Sequence, residues 1–153
     1  MSEIQILVGS TLGGTEYVAE AAQILIEEAG YDTQLYLEPD LNDMSLQIDQ
    51  IWLICLATHG AGDYPDNFTS FVDQLLQVNA ALSDLNYAII GVGDSNYDFF
   101  CGASKNIDYL LQEMGATNIT DRFEIDVNKY PTPEDRVYIW MPLFINALST
   151  IDY

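Results

Sequence analysis

The chain has 153 residues, enough for one domain with a substantial core and too few for two. It carries 24 acidic residues against 4 lysines and arginines, a formal net charge of -20, yet 49% of its residues are hydrophobic, which excludes a disordered chain. So negative a surface disfavours nucleic acid and anionic membranes as partners, because both carry charge of the same sign.

Strand and helix patterns alternate along the whole chain. The first strand is predicted at Ile4–Val8 and the first helix at Thr15–Ala29, where Val18 and Ala22 belong to an apolar face and Gly30 provides a stop. The other predicted strands are Thr33–Leu37, Ile51–Ala57, Tyr87–Val92 and Ile119–Val127, and the other predicted helices are Asp66–Val78, Ala103–Met114 and Glu134–Leu148. Pro142 either kinks the last helix or divides it.

Five strands separated by helices predict a parallel sheet with helices on both faces, since parallel neighbours need crossover connections. The run Ile51–Ala57 is almost wholly apolar, as is typical of a central strand covered on both faces. We find no repeat, low-complexity tract or linker, and therefore expect residues 1–153 to form a single α/β domain.

Three loops are expected to meet at one edge of this sheet. In parallel α/β sheets, ligands bind beyond the carboxyl ends of the strands, where the strand order reverses. The loops that follow strands one, three and four are Gly9–Thr15, Thr58–Asp66 and Gly93–Gly102, and they are rich in glycine, aspartate and aromatic residues.

The first of these loops, Gly-Ser-Thr-Leu-Gly-Gly-Thr, can hold a phosphate. The first amides of a helix lack intrahelical partners and carry the positive end of the helix dipole, while Ser10, Thr11 and Thr15 add hydroxyl donors. The loop contains no lysine, which argues against a nucleoside-triphosphate loop, and its glycine spacing differs from the dinucleotide fingerprint. A single terminal phosphate fits better; the alternative is an ordinary capped turn.

The second loop reads Thr-His-Gly-Ala-Gly-Asp-Tyr-Pro-Asp-Asn from Thr58, and the third reads Gly-Asp-Ser-Asn-Tyr-Asp-Phe-Phe-Cys-Gly from Gly93. In order and spacing, the three loops resemble the FMN-binding loops of the short-chain flavodoxin family. The match is closest to the small MioC-type flavodoxins and to the FMN domains of sulfite reductase and cytochrome P450 reductase. The resemblance implies a flavodoxin-like three-layer sandwich, a five-stranded parallel sheet of order 2-1-3-4-5, and FMN as the cofactor.

The resemblance also implies which residues contact the cofactor. They are Ser10, Thr11, Leu12, Gly13, Gly14 and Thr15 in the first loop, Thr58, His59, Gly60, Ala61, Gly62 and Asp63 in the second, and Gly93, Asp94, Asn96, Tyr97, Phe100 and Cys101 in the third. Tyr97 matches the tyrosine that covers the outer face of the flavin ring. Gly60 matches the glycine whose peptide reorients when the flavin is reduced; the alternative is that Gly60 and Gly62 only allow a sharp turn.

His59 departs from the pattern, because relatives place an aromatic ring there against the inner face of the flavin. An imidazole would stack more weakly and can titrate near neutral pH; the alternative is that it hydrogen-bonds a loop carbonyl. Asp63, Asp94 and Asp98 are expected to surround the site and disfavour a negatively charged reduced flavin. Each of these carboxylates could instead serve as a turn or cap residue.

The two cysteines, Cys55 and Cys101, provide no disulfide framework, which fits a reducing compartment. Cys101 has apolar neighbours in the sequence and no basic one, so we favour a buried structural thiol over a redox role. The N-terminus shows no targeting pattern and no apolar run reaches the length of a membrane span, so we expect a cytoplasmic protein.

The favoured function is that of a monomeric electron carrier, without catalytic residues or metal. It would accept electrons from a flavodoxin/ferredoxin-NADP reductase-like donor and pass them to an acceptor enzyme with a basic face. The acidity would serve docking, or alternatively only solubility or salt tolerance.

The first rival is a flavin-dependent quinone or disulfide reductase that oxidises NAD(P)H itself. The second, a phosphate-accepting signalling domain, is discounted because Gly9-Ser10 and Ala57-Thr58 stand where it needs acidic residues.

Overall fold

Strands and helices alternate in a computed structural model that describes residues 3–10, 13–44, 50–78 and 81–151. The strands within these ranges are β1 (Glu3–Gly9), β2 (Asp32–Tyr36), β3 (Gln50–Ala57), β4 (Leu85–Gly93), β5 (Thr117–Asn118) and β6 (Phe123–Asp126). The helices are α1 (Gly14–Glu28), α2 (Asp66–Gln77), α3 (Gly102–Glu113) and α4 (Val137–Ser149). Among the described residues, no helix combines the length and the hydrophobicity needed to cross a membrane.

The strands form one parallel sheet of order β2-β1-β3-β4-β5, with β6 also paired to β4. The strand order therefore reverses between β1 and β3, which are direct neighbours with Gly9 opposite Leu56. This arrangement confirms the predicted three-layer α/β architecture and places the carboxyl ends of β1, β3 and β4 side by side.

Side chains of the central strands alternate between two cores, one on each face of the sheet. In β3, Leu53 and Cys55 pack toward α1 and α4, whereas Ile54 and Leu56 pack toward α2 and α3. Because successive residues of a strand point to opposite faces, an unbroken apolar run fills both cores at once. This is why β3 is apolar from Ile51 to Ala57.

The last strand differs from its prediction. The predicted strand over Ile119–Val127 is correct only over β6, Phe123–Asp126, because β5 is a separate short strand that lies before the predicted start; both segments pair with β4. In the gap, Arg122 reaches the buried Asp108 of α3 at 2.6 Å, and also Glu124 at 3.2 Å. Arg122 therefore joins the chain to α3 where the sheet ladder is interrupted.

The last helix also starts later than predicted. A 3-10 turn over Pro133–Arg136 precedes α4, and α4 then continues through Pro142 as one assigned helix. Pro142 lies on the exposed side of the helix, where the carbonyl group that loses its donor can face water. Of the two expectations for Pro142, division of the helix is therefore wrong.

Candidate functional site

A cleft of about 610 Å³ opens at the carboxyl ends of β1, β3 and β4. The three loops singled out in the sequence surround it. Its lining comprises Ser10, Gly14, Thr15, Ala57, Thr58, His59, Gly60, Asp66, Val92, Gly93, Asp94, Tyr97, Phe99, Phe100, Cys101, Val127 and Pro133. The cleft thus lies at the topological switch point, where such folds bind ligands.

One end of the cleft is formed by the turn between β1 and α1. The Gly13 amide donates to the Ser10 hydroxyl at 2.9 Å, and Gly13 itself has a φ of 84°, a conformation that favours glycine. α1 then starts at Gly14, so Gly14 and the buried Thr15 place at the cleft amides from the first turn of the helix, which have no partner within the helix. Thr11 and Leu12, also predicted to contact the cofactor, lie outside the described residues.

Asn67 in the first turn of α2 supports this turn. Its side-chain oxygen accepts from the Ser10 amide at 3.1 Å, and its amide group donates to the Leu37 carbonyl at 2.7 Å. Asn67 therefore connects the turn between β1 and α1 to α2 and to the residue after β2. No role was predicted for Asn67 from the sequence. An asparagine at the start of a helix beside a glycine-rich loop is nevertheless a residue type that often hydrogen-bonds the backbone of nearby loops.

The second loop is closed by reciprocal backbone bonds between His59 and Asp63, each 2.7 Å long. Gly60 sits at the tip with a φ of 53°, in the left-handed region. The exposed imidazole of His59 lines the cleft together with Gly60, whereas Ala61, Gly62 and Asp63 are not among the lining residues. A Cβ at Gly62 would lie 3.2 Å from Phe99, so the second loop lies directly against the third.

The third loop presents aromatic rings to the cleft. A turn at its start has the Asp94 carboxylate accepting from the Asn96 amide at 2.9 Å, and the Asp94 carbonyl accepting from the Tyr97 amide at 3.1 Å. Tyr97 is 67% exposed and Phe99 57% exposed, and both line the cleft, so their rings are accessible to a ligand there. Phe99 lines the cleft although it was not predicted to do so.

Cys101 joins this loop to α3. It is fully buried and has a φ of 53°, which makes it a non-glycine residue in the left-handed region. Burial, with Glu124 adding to it, raises the pKa of its thiol to about 12. A thiol of that pKa is protonated at neutral pH, which supports the structural interpretation of Cys101 over a redox one.

Thiol chemistry tests this assignment. Burial also raises the pKa of Cys55 to about 12, so neither thiol should react with an aromatic disulfide reagent in the native protein at pH 8. In denaturant both cysteines should react rapidly. Rapid labelling of one thiol in the native state, assigned to Cys101 by peptide mapping, would contradict the structural interpretation of Cys101.

The charge around the cleft is negative. Asp66 and Asp94 line it, and the described lining residues include no lysine or arginine. Asp63 and Asp98 lie exposed on the adjacent loops. An anion in the cleft would therefore have to be held by the amides and hydroxyls at the α1 end, and the carboxylates around the cleft suit a cationic surface.

The structure brings most of the predicted site residues together. Eleven of them line the cleft: Ser10, Gly14, Thr15, Thr58, His59, Gly60, Gly93, Asp94, Tyr97, Phe100 and Cys101. Gly13 and Asn96 act through the turns described above. The lining also includes Ala57, Val92, Val127 and Pro133, which the sequence did not single out; Val127 and Pro133 follow β6 and reach the cleft only through the fold.

The sheet order and the cleft at the carboxyl ends of its central strands define a doubly wound α/β protein with a cleft at its topological switch point. The chain belongs to the flavodoxin family, since the family model described as Flavodoxin matches residues 6–140. Flavodoxins are flavin-dependent electron carriers rather than enzymes, so the rival of a self-sufficient reductase is not favoured.

Relatives and solved structures agree with this placement. The chain is 40% identical over 146 residues to the MioC homolog of Haemophilus influenzae, covering 95% of this chain and 99% of that protein. It is 32% identical over 149 residues to the flavodoxin YqcA of Escherichia coli, covering 97% of this chain and all of YqcA. A cysteine-to-alanine variant of a Pseudomonas aeruginosa flavodoxin superposes with a TM-score of 0.87 at 30% identity, over 96% of this chain and 99% of that one.

Proposed function

We propose that the whole chain acts as one FMN-binding domain that passes single electrons from an NADPH-dependent reductase to an acceptor enzyme. The observation that carries the proposal is the cleft, which joins an uncharged anion-binding turn to exposed aromatic rings. FMN has the complementary parts, one terminal phosphate and one flat ring system. When bound, it supplies the one-electron chemistry, and the protein supplies binding and orientation.

The donor set favours a monophosphate. Ser10, Gly14 and Thr15 offer hydroxyl and amide donors at the start of α1, and the described lining residues provide no cation to reach further phosphates. His59 and Tyr97 lie on two different loops and both line the cleft, and we propose that the ring system binds between them. His59 is exposed and lines the cleft, which supports stacking over the alternative of a hydrogen bond to a loop carbonyl.

The partners follow from charge. With a net charge of -20 and exposed carboxylates beside the cleft, the protein suits donor and acceptor surfaces that are basic. Such complexes have small interfaces and short lifetimes, because the partners must separate after each electron transfer. The carrier itself needs no second subunit for this work, and we propose that it acts as a monomer.

An electron relay tests the function. The FMN-loaded protein, NADPH, a catalytic amount of an NADPH-dependent flavodoxin reductase and cytochrome c as a basic one-electron acceptor are combined without oxygen. Cytochrome c reduction should require both the reductase and the FMN-loaded protein. NADPH oxidation by the FMN-loaded protein alone, at a rate equal to the complete mixture, would instead identify a self-sufficient reductase.

Ionic strength should control the rate of this relay. Raising salt from 20 to 500 mM shortens the Debye length several-fold, and we expect the second-order rate to fall by at least about tenfold. A small neutral oxidant such as a quinone serves as the control, since its rate should change little. Equal salt profiles for cytochrome c and the quinone would contradict docking through the acidic rim.

A further inference from the structure

Asp126, the last residue of β6, lies beside the third loop and was not singled out by sequence reasoning. Only 9% of the residue is exposed. One of its carboxylate oxygens accepts from the Ser95 amide at 3.0 Å and from the Asn128 amide at 3.0 Å. A single carboxylate oxygen thus joins the loop after β4 to the loop after β6.

Further bonds link the same two loops. The Val127 amide donates to the Gly93 carbonyl at 2.8 Å, which continues the pairing of β6 with β4 beyond Asp126. The Asn96 side-chain amide donates to the Asn128 side-chain oxygen at 3.2 Å. The segment Gly93–Asn96 is therefore attached to the end of β6 and the residues after it through Gly93, Ser95 and Asn96.

The charge state of Asp126 suits this role. Its hydrogen bond with the Ser95 side chain lowers the pKa of the carboxyl, partial burial acts in the opposite sense, and the Ser95 and Asn128 amides and Lys129 lower it further. The carboxylate is therefore ionised at neutral pH, and an ionised acceptor makes stronger bonds to amides than a neutral one.

Tyr97 depends on this attachment because its ring has little packing of its own. The ring is 67% exposed, so contacts with the core do not fix it. Its backbone is fixed instead by the Asp94 turn, and the next anchor of that turn is the bond from Ser95 to Asp126. Loss of Asp126 would remove the acceptor of the Ser95 amide and loosen the turn, leaving the weaker contacts of Asn128 with Asn96 and with the Ser95 hydroxyl.

We propose that Asp126 is a positioning residue that holds the turn at Asp94–Tyr97 so that the Tyr97 ring covers the bound flavin. The inference rests on the proposed FMN function. Asp126 has no direct contact with the cofactor in this role; it acts through the Ser95 amide and the turn that carries Tyr97.

The first test compares FMN dissociation constants, measured from the quenching of flavin fluorescence. Asp126→Ala should weaken binding roughly tenfold, since it removes an ionised acceptor from two amides. Asp126→Asn keeps an oxygen acceptor and should recover most of the affinity. Asp121→Ala, which removes an exposed carboxylate from the segment before β6, is the matched control for charge and should bind as the wild type does.

A double-mutant cycle separates positioning from a general loss of stability. If Asp126 acts through Tyr97, Asp126→Ala should cost much less affinity, roughly twofold or below, in a Tyr97→Ala background. Equal losses in both backgrounds, or unchanged affinity of Asp126→Ala in the wild-type background, would overturn the inference. Should Asp126→Ala fail to fold, Asn128→Ala takes its place in the cycle, with a smaller expected loss and the same requirement for coupling.

The same titrations distinguish failure of this inference from failure of the proposed function. Wild-type protein that takes up no FMN contradicts the function itself. Wild-type protein that binds FMN, with Asp126 and Tyr97 variants that behave independently, contradicts only the role of Asp126.

Discussion

Ser10→Asp should weaken FMN binding by a hundredfold or more without unfolding the protein. The Ser10 hydroxyl already accepts from the Gly13 amide at 2.9 Å, and a carboxylate can accept the same bond at the start of a helix. The carboxylate would, however, stand beside the phosphate. Two unit charges about 5 Å apart near a protein surface repel by about 3 kcal/mol, which corresponds to more than a hundredfold in affinity.

Two comparisons isolate the charge effect of this substitution. Ser10→Asn has nearly the same shape without the charge, and it should lose much less affinity. Riboflavin, which lacks the phosphate, should bind Ser10→Asp and wild type with similar dissociation constants. FMN binding to Ser10→Asp with wild-type affinity would mean that the phosphate lies elsewhere.

Phe68→Ala should lower the free energy of unfolding by about 3–5 kcal/mol, the usual cost of removing a buried phenyl ring. Phe68 is fully buried, and its ring centroid lies 5.3 Å from Phe71 and 6.0 Å from Tyr64. It also packs against Gly9, where an added Cβ would come within 3.1 Å of it. Phe68 therefore fills the core directly beneath the turn at Ser10.

Urea denaturation of the cofactor-free protein measures this cost. Leu76→Ala on the same helix is the control, because Leu76 is 63% exposed and its removal should change stability by less than about 0.5 kcal/mol. A cost below about 1 kcal/mol for Phe68→Ala would show that the core under the turn is not packed as described.

Much of the fold could be predicted because apolar pattern and turn chemistry agree along most of the chain. The unbroken apolar run of β3 and the glycine stop at Gly30 are local signals, and they placed the central strand and the end of the first helix within about two residues. The order of the sheet came from the resemblance of the loops, and the structure confirms it.

The interrupted last strand could not be predicted from local pattern. At the interruption Arg122 pairs with Asp108, a partner 14 residues earlier on a different element. Nothing in the sequence around Arg122 or Asp108 indicates that the two side chains form an ion pair. Pro142 is a similar case, because whether a proline divides a helix depends on what its neighbours can bond, which only the fold decides.

The site was predictable where the residues belong to a loop motif and hidden where they act across loops. Tyr97 and Ser10 stand within recognisable turns. Asn67 and Asp126 support those turns from 57 and 31 residues away, through bonds to Ser10 and Ser95 respectively. The predicted strand included Asp126, and the structure places Asp126 at the end of β6. No role for its side chain was predicted from the sequence, although an aspartate at the end of a strand often accepts a hydrogen bond from the backbone two residues later.

The central claim is that the turn at Ser10 and the aromatic loop at Tyr97 hold FMN in one cleft. Its most direct test is titration of the cofactor-free protein with FMN, followed by flavin fluorescence, with riboflavin titrated in parallel. We expect the fluorescence to be quenched to an end point of one FMN per chain, with riboflavin binding far more weakly. A folded protein that leaves the FMN fluorescence unchanged at every ratio would contradict the account.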